Sequence, residues 1–444
     1  MAASAKPKIA FIGLGAMGFG MATHLVKQGY AVTGFDVWPP TLERFRAAGG
    51  STASTPSEAV HGHDYVVCMV ATAAQAQSAL FEGDNPALGA LSKGASLLLC
   101  STVPCAYVQS LAAQLAYKGR GDVLLVDCPV SGGAGRAADG TLSIMAGASD
   151  EALEKGRFLL QELSDTSKLY IVSGGIGAGS NMKMVHQVLA AVKILAASEG
   201  MGFAQQLGLD LAYTYDSIQN SDASAWMFGH RGPRILSQFK PIASAITIIL
   251  KDAGIITSEA LRAGFSTPMT GTAEQVYFSS LARGYGADDD SSLIRLYTEG
   301  LKNPVSALSE EEKAKKLALV QGLLRGIYLC GTAESLAFAK RCQLDLDQVY
   351  DLCINAAGGS KMFETVGPEI INLFRGKQTA TEAEGESLQD VAGQLQEAVA
   401  EAQRLKMPLY LGTEASNLIR LALRHSRDQS RALPRATIAK LWTA

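Results

Sequence analysis

Through the first 172 residues, short apolar runs alternate with stretches whose apolar positions recur at helical spacing. The runs 8–12, 31–36, 65–70, 96–100, 123–127, 142–146 and 168–172 read as strands. Strands separated by helices at this spacing predict a mostly parallel, doubly wound sheet, an α/β domain over about 7–176. After Gly179 the pattern changes. From Ser180 to Leu207 there is no proline, and Val185, Leu189, Val192, Leu195 and Ala196 recur at helical spacing. This predicts one long helix that leaves the sheet and forms the backbone of an all-helical domain.

The second half repeats itself. Phe203-Ala204 recurs as Phe338-Ala339, Leu209-Asp210-Leu211 as Leu344-Asp345-Leu346, and Tyr215-Asp216 as Tyr350-Asp351. Asn220 recurs as Asn355, Met227-Phe228 as Met362-Phe363, and Gly232-Pro233 as Gly367-Pro368, every pair 135 residues apart. Further on, Thr267-Pro268 matches Met407-Pro408 at an offset of 140, which implies an insertion of five residues. Two tandem helical domains are therefore expected, 177–302 and 310–430, joined by a connector over 301–311. The tail 431–444 is expected to be loosely held.

A chain of 444 residues exceeds one compact core, in agreement with this division. Hydrophobic content is 48%, charged content 18% and net charge −3, so no basic surplus points to nucleic acid. The stretch Met1–Pro7 has neither an apolar core nor arginine, so neither a secretory signal nor a transit peptide is expected. No apolar run reaches membrane-spanning length by this reading, and no membrane partner is expected. Seven cysteines show no C-x-x-C or metal spacing and sit mostly in apolar runs, as buried reduced thiols do. A cytoplasmic protein without a metal site fits these features.

Chemistry enters at Lys8–Asp36. An apolar strand runs into Gly13-Leu14-Gly15-Ala16-Met17-Gly18, a helical pattern follows, and a second strand ends on Asp36. This is the dinucleotide fingerprint in its context. Gly13 allows the tight turn, Gly15 lets backbone approach a pyrophosphate, and Gly18 lets the helix sit close on the strand. The helix N-terminus then faces phosphates with unpaired N–H groups. Asp36 stands where a carboxylate accepts hydrogen bonds from ribose hydroxyls. No Arg or Lys follows at Val37 or Trp38, so NAD is expected over NADP. Ser101-Thr102-Val103-Pro104 closes the run 96–100 at its carboxyl end, where ligands bind such sheets, and Thr102 and Val70 are further cofactor candidates.

Further along, Lys183, His186 and Gln187 stand at i, i+3 and i+4 and share one helical face. Glycines at 177 and 179 let backbone approach a ligand. Lys183 is either a solvated first-turn lysine or a desolvated base with a lowered pKa. Asp127-Cys-Pro-Val-Ser131-Gly132-Gly133 follows a strand and offers a hydroxyl and N–H groups to an anion, or is an ordinary turn. Lys251-Asp252, taken alone, reads as a surface ion pair. The remaining histidines show no metal pattern. Trp226, Met227 and Phe228 read as core, with Arg231 behind them a less favoured carboxylate partner.

With these motifs in place, the chain resembles the β-hydroxyacid dehydrogenases, which include 3-hydroxyisobutyrate, tartronate semialdehyde, L-threonate and 6-phosphogluconate dehydrogenases. The resemblance covers about residues 7–300 and rests on four motifs in the family's order: Gly13–Gly18, Asp127–Gly133 with Gly140-Thr141-Leu142, Gly177–Gln187, and Lys251-Asp252. It implies a Rossmann-like domain followed by helical domains of the 6-phosphogluconate dehydrogenase type. It also implies that Lys183 is the catalytic lysine and that Ser131, Gly132 and Gly133 hold a substrate carboxylate. Thr102 and Lys251 then lie near the nicotinamide. Gln187 takes a substrate-binding place where asparagine is usual.

The His186-Gln187 pair and Ser224–Phe228 look closer to the L-threonate group. The phosphogluconate branch has a glutamate seven residues after its lysine. Here that residue is Ala190, which argues against decarboxylation. At the 135 offset Lys183 maps to Ala318, and at the 140 offset Lys251-Asp252 maps to Val391-Ala392. The second copy thus lacks the chemistry, and it is expected to replace a partner subunit within one chain, leaving a monomer or homodimer. The function expected is NAD-dependent oxidation of a small 3-hydroxy acid, with Lys183 as general acid/base. The alternatives are a redox-silent NAD-binding interaction module or an imine or keto-acid reductase of the same fold.

Overall fold

The computed structural model describes residues 6–300, 307–377, 382–426 and 431–443. The start of the expected connector, 301–306, the first five residues of the chain and the end of the expected second helical domain, 427–430, lie outside the described residues. Nine strands are described: β1 Ile9–Ile12, β2 Val32–Phe35, β3 Ser51–Thr52, β4 Tyr65–Cys68, β5 Ser96–Leu99, β6 Leu124–Asp127, β7 Val130–Ser131, β8 Leu142–Ala146 and β9 Ser164–Ile171. The first six form one sheet in the order β3-β2-β1-β4-β5-β6, parallel throughout. Along β1 the side chains alternate between its two faces. Ile9 and Phe11 enter one apolar cluster with Val67 and Leu98, and Ala10 and Ile12 enter another with Val66 and Leu97. Burial on both faces explains why these strands read as continuous apolar runs.

The expectation of a single sheet fails at Pro129. A proline cannot donate to a ladder, and the chain turns there into β7, which pairs antiparallel with β8. β9 joins β8 in parallel, so the last two predicted strands belong to a separate three-stranded sheet. β3 and β7 are two residues each and too short to register as runs.

The chain forms two compact units, 1–183 and 184–444. The predicted long helix is Ala178–Gln206; it begins in the first unit and runs on through the second. By length and composition it could cross a membrane, contrary to the sequence expectation, but its most apolar stretch is wholly buried inside the protein.

The second unit carries the duplication. Leu211–Gln219 and Trp226–Leu236 correspond at an offset of 135 to Leu346–Ile354 and Lys361–Phe374. The next two helices, Ile246–Arg262 and Pro268–Ala282, begin 142 residues before Leu388–Arg404 and Tyr410–His425. The insertion is therefore seven residues, and the Thr-Pro/Met-Pro match misplaced the register. Lys251 and Asp252 correspond to Gly393 and Gln394, not to Val391 and Ala392. A contact confirms this. Gln187 hydrogen-bonds Asp252 at 2.6 Å, and a Cβ on Gly322, the counterpart of Gln187, would lie 3.0 Å from that of Gln394.

The two copies cap each other. Glu199 accepts from the backbone N–H groups of Leu411 (3.2 Å) and Gly412 (2.8 Å) at the start of Tyr410–His425. Its counterpart Glu334 accepts from Met269 (2.7 Å) and Thr270 (3.0 Å) at the start of Pro268–Ala282. Each buried carboxylate satisfies first-turn donors of a helix in the other copy.

The tail is not loose. Arg435–Trp442 forms a 3₁₀ helix whose residues Ala436, Thr437, Ile438 and Ala439 are buried. It packs on helices Glu310–Arg341 and Lys361–Phe374, and the Trp442 indole donates to the Ser266 carbonyl at 2.8 Å. Four buried positions, one of them a threonine, were too few to stand out in the sequence. All seven cysteines are free thiols, six of them buried.

Candidate active site

The glycine loop follows β1 directly. Gly13 has φ +93°, and a Cβ there would overlap the Met69 carbonyl, so the turn requires glycine. A Cβ on Gly18 would overlap the Gly13 carbonyl, which keeps helix Ala16–Lys27 against the strand. Gly15 differs, because a Cβ there would meet no atom within 4 Å. It borders open space at the N-terminus of that helix, which has no side-chain cap and no acidic residue in its first turn. Gly15 and Ala16 are exposed and Met17 half-buried. Unsatisfied donors beside open space fit a pyrophosphate.

Asp36 closes the loop from β2. Its Oδ2 accepts from the Leu14 N–H at 2.7 Å and its Oδ1 from the Trp38 N–H at 2.9 Å. The carboxylate is thereby held half-exposed beside the glycines with lone pairs to spare. Val70, at the end of β4, approaches the loop, where its Cγ1 would lie 2.9 Å from a Cβ on Gly13. Its N–H donates to Ser101 Oγ at 2.9 Å. Thr102 follows β5 half-buried. All these residues stand at the carboxyl ends of the parallel strands.

At the end of β6 stands Asp127, fully buried. Its carboxylate accepts from the Ser180 N–H at 2.7 Å and the Ser180 hydroxyl at 2.6 Å. Burial pushes Asp127 up to about 6, against the pull of Ser180 and the Gly177 backbone. This tie was not read from the sequence, since its partners lie 53 residues apart. The start of helix Ala178–Gln206 sits so close on β6 that a Cβ on Gly179 would lie 2.5 Å from the Asp127 carbonyl. Lys183, three residues past Ser180, is buried. From the other end of Asp127 the chain runs through Pro129 into Ser131, Gly132 and Gly133. Gly132 and Gly133 are exposed with φ +141° and +76°, and a Cβ on Gly133 would meet nothing within 4 Å.

In the second unit, His186 Nδ1 lies 3.1 Å from Gln187 Oε1, and Gln187 Nε2 donates to Asp252 Oδ2 at 2.6 Å. Lys251 Nζ pairs with Asp252 Oδ1 at 2.8 Å. His186 is fully buried and Asp252 nearly so. Arg231, weighed from the sequence as a carboxylate partner, is committed inside the protein, where its guanidinium clasps the buried Asp290 through both Nε and Nη2. Met227 and Phe228 are core, but Trp226 is exposed and stacks on His230 at 4.8 Å.

The sheet order, the open glycine turn and the carboxylate at the end of β2 define a dinucleotide-binding protein. Residues 8–174 match the family described as the NAD binding domain of 6-phosphogluconate dehydrogenase. The family described as NAD-binding of NADP-dependent 3-hydroxyisobutyrate dehydrogenase matches twice, at 177–297 and 313–434. An L-threonate dehydrogenase of Cupriavidus necator is 36% identical over 67% of this chain and 98% of that enzyme. The crystal structure of a 3-hydroxyisobutyrate dehydrogenase from Salmonella typhimurium superposes with a TM-score of 0.61 at 32% identity, over 66% of this chain and all of that one. Plasmodium falciparum 6-phosphogluconate dehydrogenase, at 14% identity, shares the fold over 95% of this chain and 93% of its own, with a TM-score of 0.65. The chain belongs to the β-hydroxyacid dehydrogenase family. It is an NAD-linked oxidoreductase acting on the CH–OH group of hydroxy acids.

Proposed function

We propose that this enzyme oxidises a short 3-hydroxy acid bearing further hydroxyls, with L-threonate the first candidate, and that Lys183 is its general acid/base. The loop Gly13–Gly18 would hold the pyrophosphate through backbone N–H groups, and Asp36 the adenosine ribose. Val70 and Thr102 would line the cofactor's path along the strand ends, and Lys251 is the remaining cofactor candidate. Bound NAD supplies the hydride acceptor; the protein's part is binding, orientation and proton handling.

Ser131, Gly132 and Gly133 would fix the substrate carboxylate with a hydroxyl and N–H donors. Lys183 Nζ would then take the proton from the hydroxyl being oxidised, and return it in the reverse direction. Lys183 is buried, so this proton transfer would take place away from bulk water. Gln187, one turn on from Lys183 along the same helix, is the remaining substrate-binding candidate. The observation that carries the proposal is the Asp127–Ser180 tie. One buried carboxylate joins the strand that leads into Ser131–Gly133 to the helix that carries Lys183. Ala190, seven residues after Lys183, is buried apolar surface, so no second acid for decarboxylation stands there.

The test is a panel of three- to six-carbon hydroxy acids followed by NADH absorbance, on the wild type and Lys183→Ala. One or more short 3-hydroxy acids should be turned over. Lys183→Ala should lose about 10²–10⁴-fold in turnover while NAD affinity holds. A Lys183→Ala enzyme with near wild-type turnover, or a panel without a substrate, would overturn the reading.

A further inference from the structure

We propose that Asp252 is a positioning residue that fixes the tautomer of His186 through the amide of Gln187. The inference deepens the proposal above and rests on Lys183 and His186 sharing the catalytic helix. Asp252 is paired with Lys251 at 2.8 Å as a carboxylate, which only accepts. The Gln187 group facing it at 2.6 Å must therefore be the NH₂ end. That turns the carbonyl Oε1 towards His186 Nδ1, 3.1 Å away. A carbonyl cannot donate, so Nδ1 carries the hydrogen. In the neutral ring Nε2 is then the accepting nitrogen. The ring is fully buried, one helical turn from Lys183.

The duplicated domain supplies the control. Its counterparts of His186, Gln187 and Asp252 are Gln321, Gly322 and Gln394, with neither imidazole nor carboxylate. The corresponding helices Glu310–Arg341 and Leu388–Arg404 still pack together. Gln394 turns to Arg325 at 3.0 Å and Glu386 at 3.3 Å instead. Helix packing therefore does not need the Asp-Gln-His chain, which survives only in the copy that carries Lys183.

The test is ¹⁵N NMR of histidine-labelled full-length protein, with the His186 signals among six histidines identified by their loss in His186→Gln. The wild type should show a protonated Nδ1 and an unprotonated Nε2. Asp252→Asn lets the Gln187 amide turn over. It should give mixed or reversed tautomer signals and lower kcat by about tenfold or more. Gln187→Met, which removes the relay and keeps the side-chain length, should release the tautomer likewise. A wild-type ring protonated at Nε2, or tautomer signals unmoved in both variants, would overturn the inference. Lys183→Ala should leave the tautomer as it is, so failure of the lysine mechanism and failure of the relay give different results.

Discussion

Ala225 and Ser360 pair as an isolated antiparallel bridge, and they are the same position of the duplicated domain, 135 residues apart. The Trp226 N–H donates to the Gly359 carbonyl at 3.0 Å, and the Lys361 N–H to the Ser224 carbonyl at 3.1 Å. Each bond is the other's counterpart. That is the self-complementary geometry of a two-fold interface, drawn within one chain. The crossed caps of Glu199 and Glu334 obey the same relation. Off these contacts the symmetry lapses. Lys193 is buried and donates to the Gly358 carbonyl and to Ser360 Oγ, whereas its counterpart is Tyr328.

The caps should make stability depend on pH. Burial pushes Glu199 and Glu334 each up to about 7, against an ordinary value of 4.5. Between those values the folded state binds more protons than the unfolded one, so stability should fall as pH rises through the window. Below about 4.5 the effect is spent. Burial also pushes Lys193 down to about 7 from 10.5, so its contribution rises with pH, but only between about 7 and 10.5. The windows are separate. Thermal unfolding between pH 5 and 7 should show a downward slope that flattens in Glu199→Gln/Glu334→Gln. A double variant with the wild-type slope would remove these residues as its source. Glu199→Ala should cost about 1 kcal/mol or more, as the loss of a helix cap does.

Asp36 should set the cofactor preference. Its carboxylate is anchored by Leu14 and Trp38, and an added 2′-phosphate would meet a fixed negative charge. Asp36→Ala should weaken NAD and improve relative use of NADP. Titration of both cofactors against the wild type and the variant checks this. A wild type that prefers NADP would contradict it.

Two glycines of one motif should fail in opposite ways. Gly15 faces open space at φ −66°, which any residue adopts. Gly15→Ala should therefore fold with the wild-type Tm and lose NAD affinity, since its methyl occupies the ligand's side. A Cβ at Gly18 overlaps the Gly13 carbonyl, so Gly18→Ala should destabilise the protein by about 1–3 kcal/mol. Calorimetry and NAD titration of each variant separate the two effects. Equal losses of Tm would contradict it.

What the sequence made legible is what local geometry forces. Gly13 and Gly18 are glycine because backbone lies where a side chain would go, and that requirement shows in a single sequence. The long helix and the 135-residue repeat were visible because packing keeps apolar positions in register. The separate second sheet was not visible, because pairing between β7 and β8 leaves no mark on residues 142–146 beyond their apolarity. The register of the last helix pairs was lost for a related reason. One shared proline outweighed helix positions that only contacts reveal. Asp127 with Ser180, and Asp252 with Gln187, are joined across 53 and 65 residues. Each residue was quoted in a motif, and the bond between them exists only in the fold.

The second helical copy should act as a built-in partner without a cofactor or substrate site of its own. Its counterparts of Lys183, Lys251 and Asp252 are Ala318, Gly393 and Gln394, none of which is a proton acceptor of the required kind. Its apolar positions persist, with Phe338, Leu344, Leu346 and Phe363 all buried. The copies meet closely. A Cβ on Gly200 would lie 2.9 Å from Leu324, one on Gly331 3.3 Å from Val192, and one on Gly358 3.0 Å from Leu189. A chain ending near residue 300 would expose that face of the long helix and leave the Glu199 carboxylate without its helix. It should aggregate or pair with a second copy of itself. The full chain should bind one NAD, with no second chain needed to cover the same face. Calorimetric stoichiometry on the full chain, with light scattering on both forms, checks this. Two cofactors per full-length chain, or a truncated form that stays a well-behaved monomer, would show that the second copy is not standing in for a subunit.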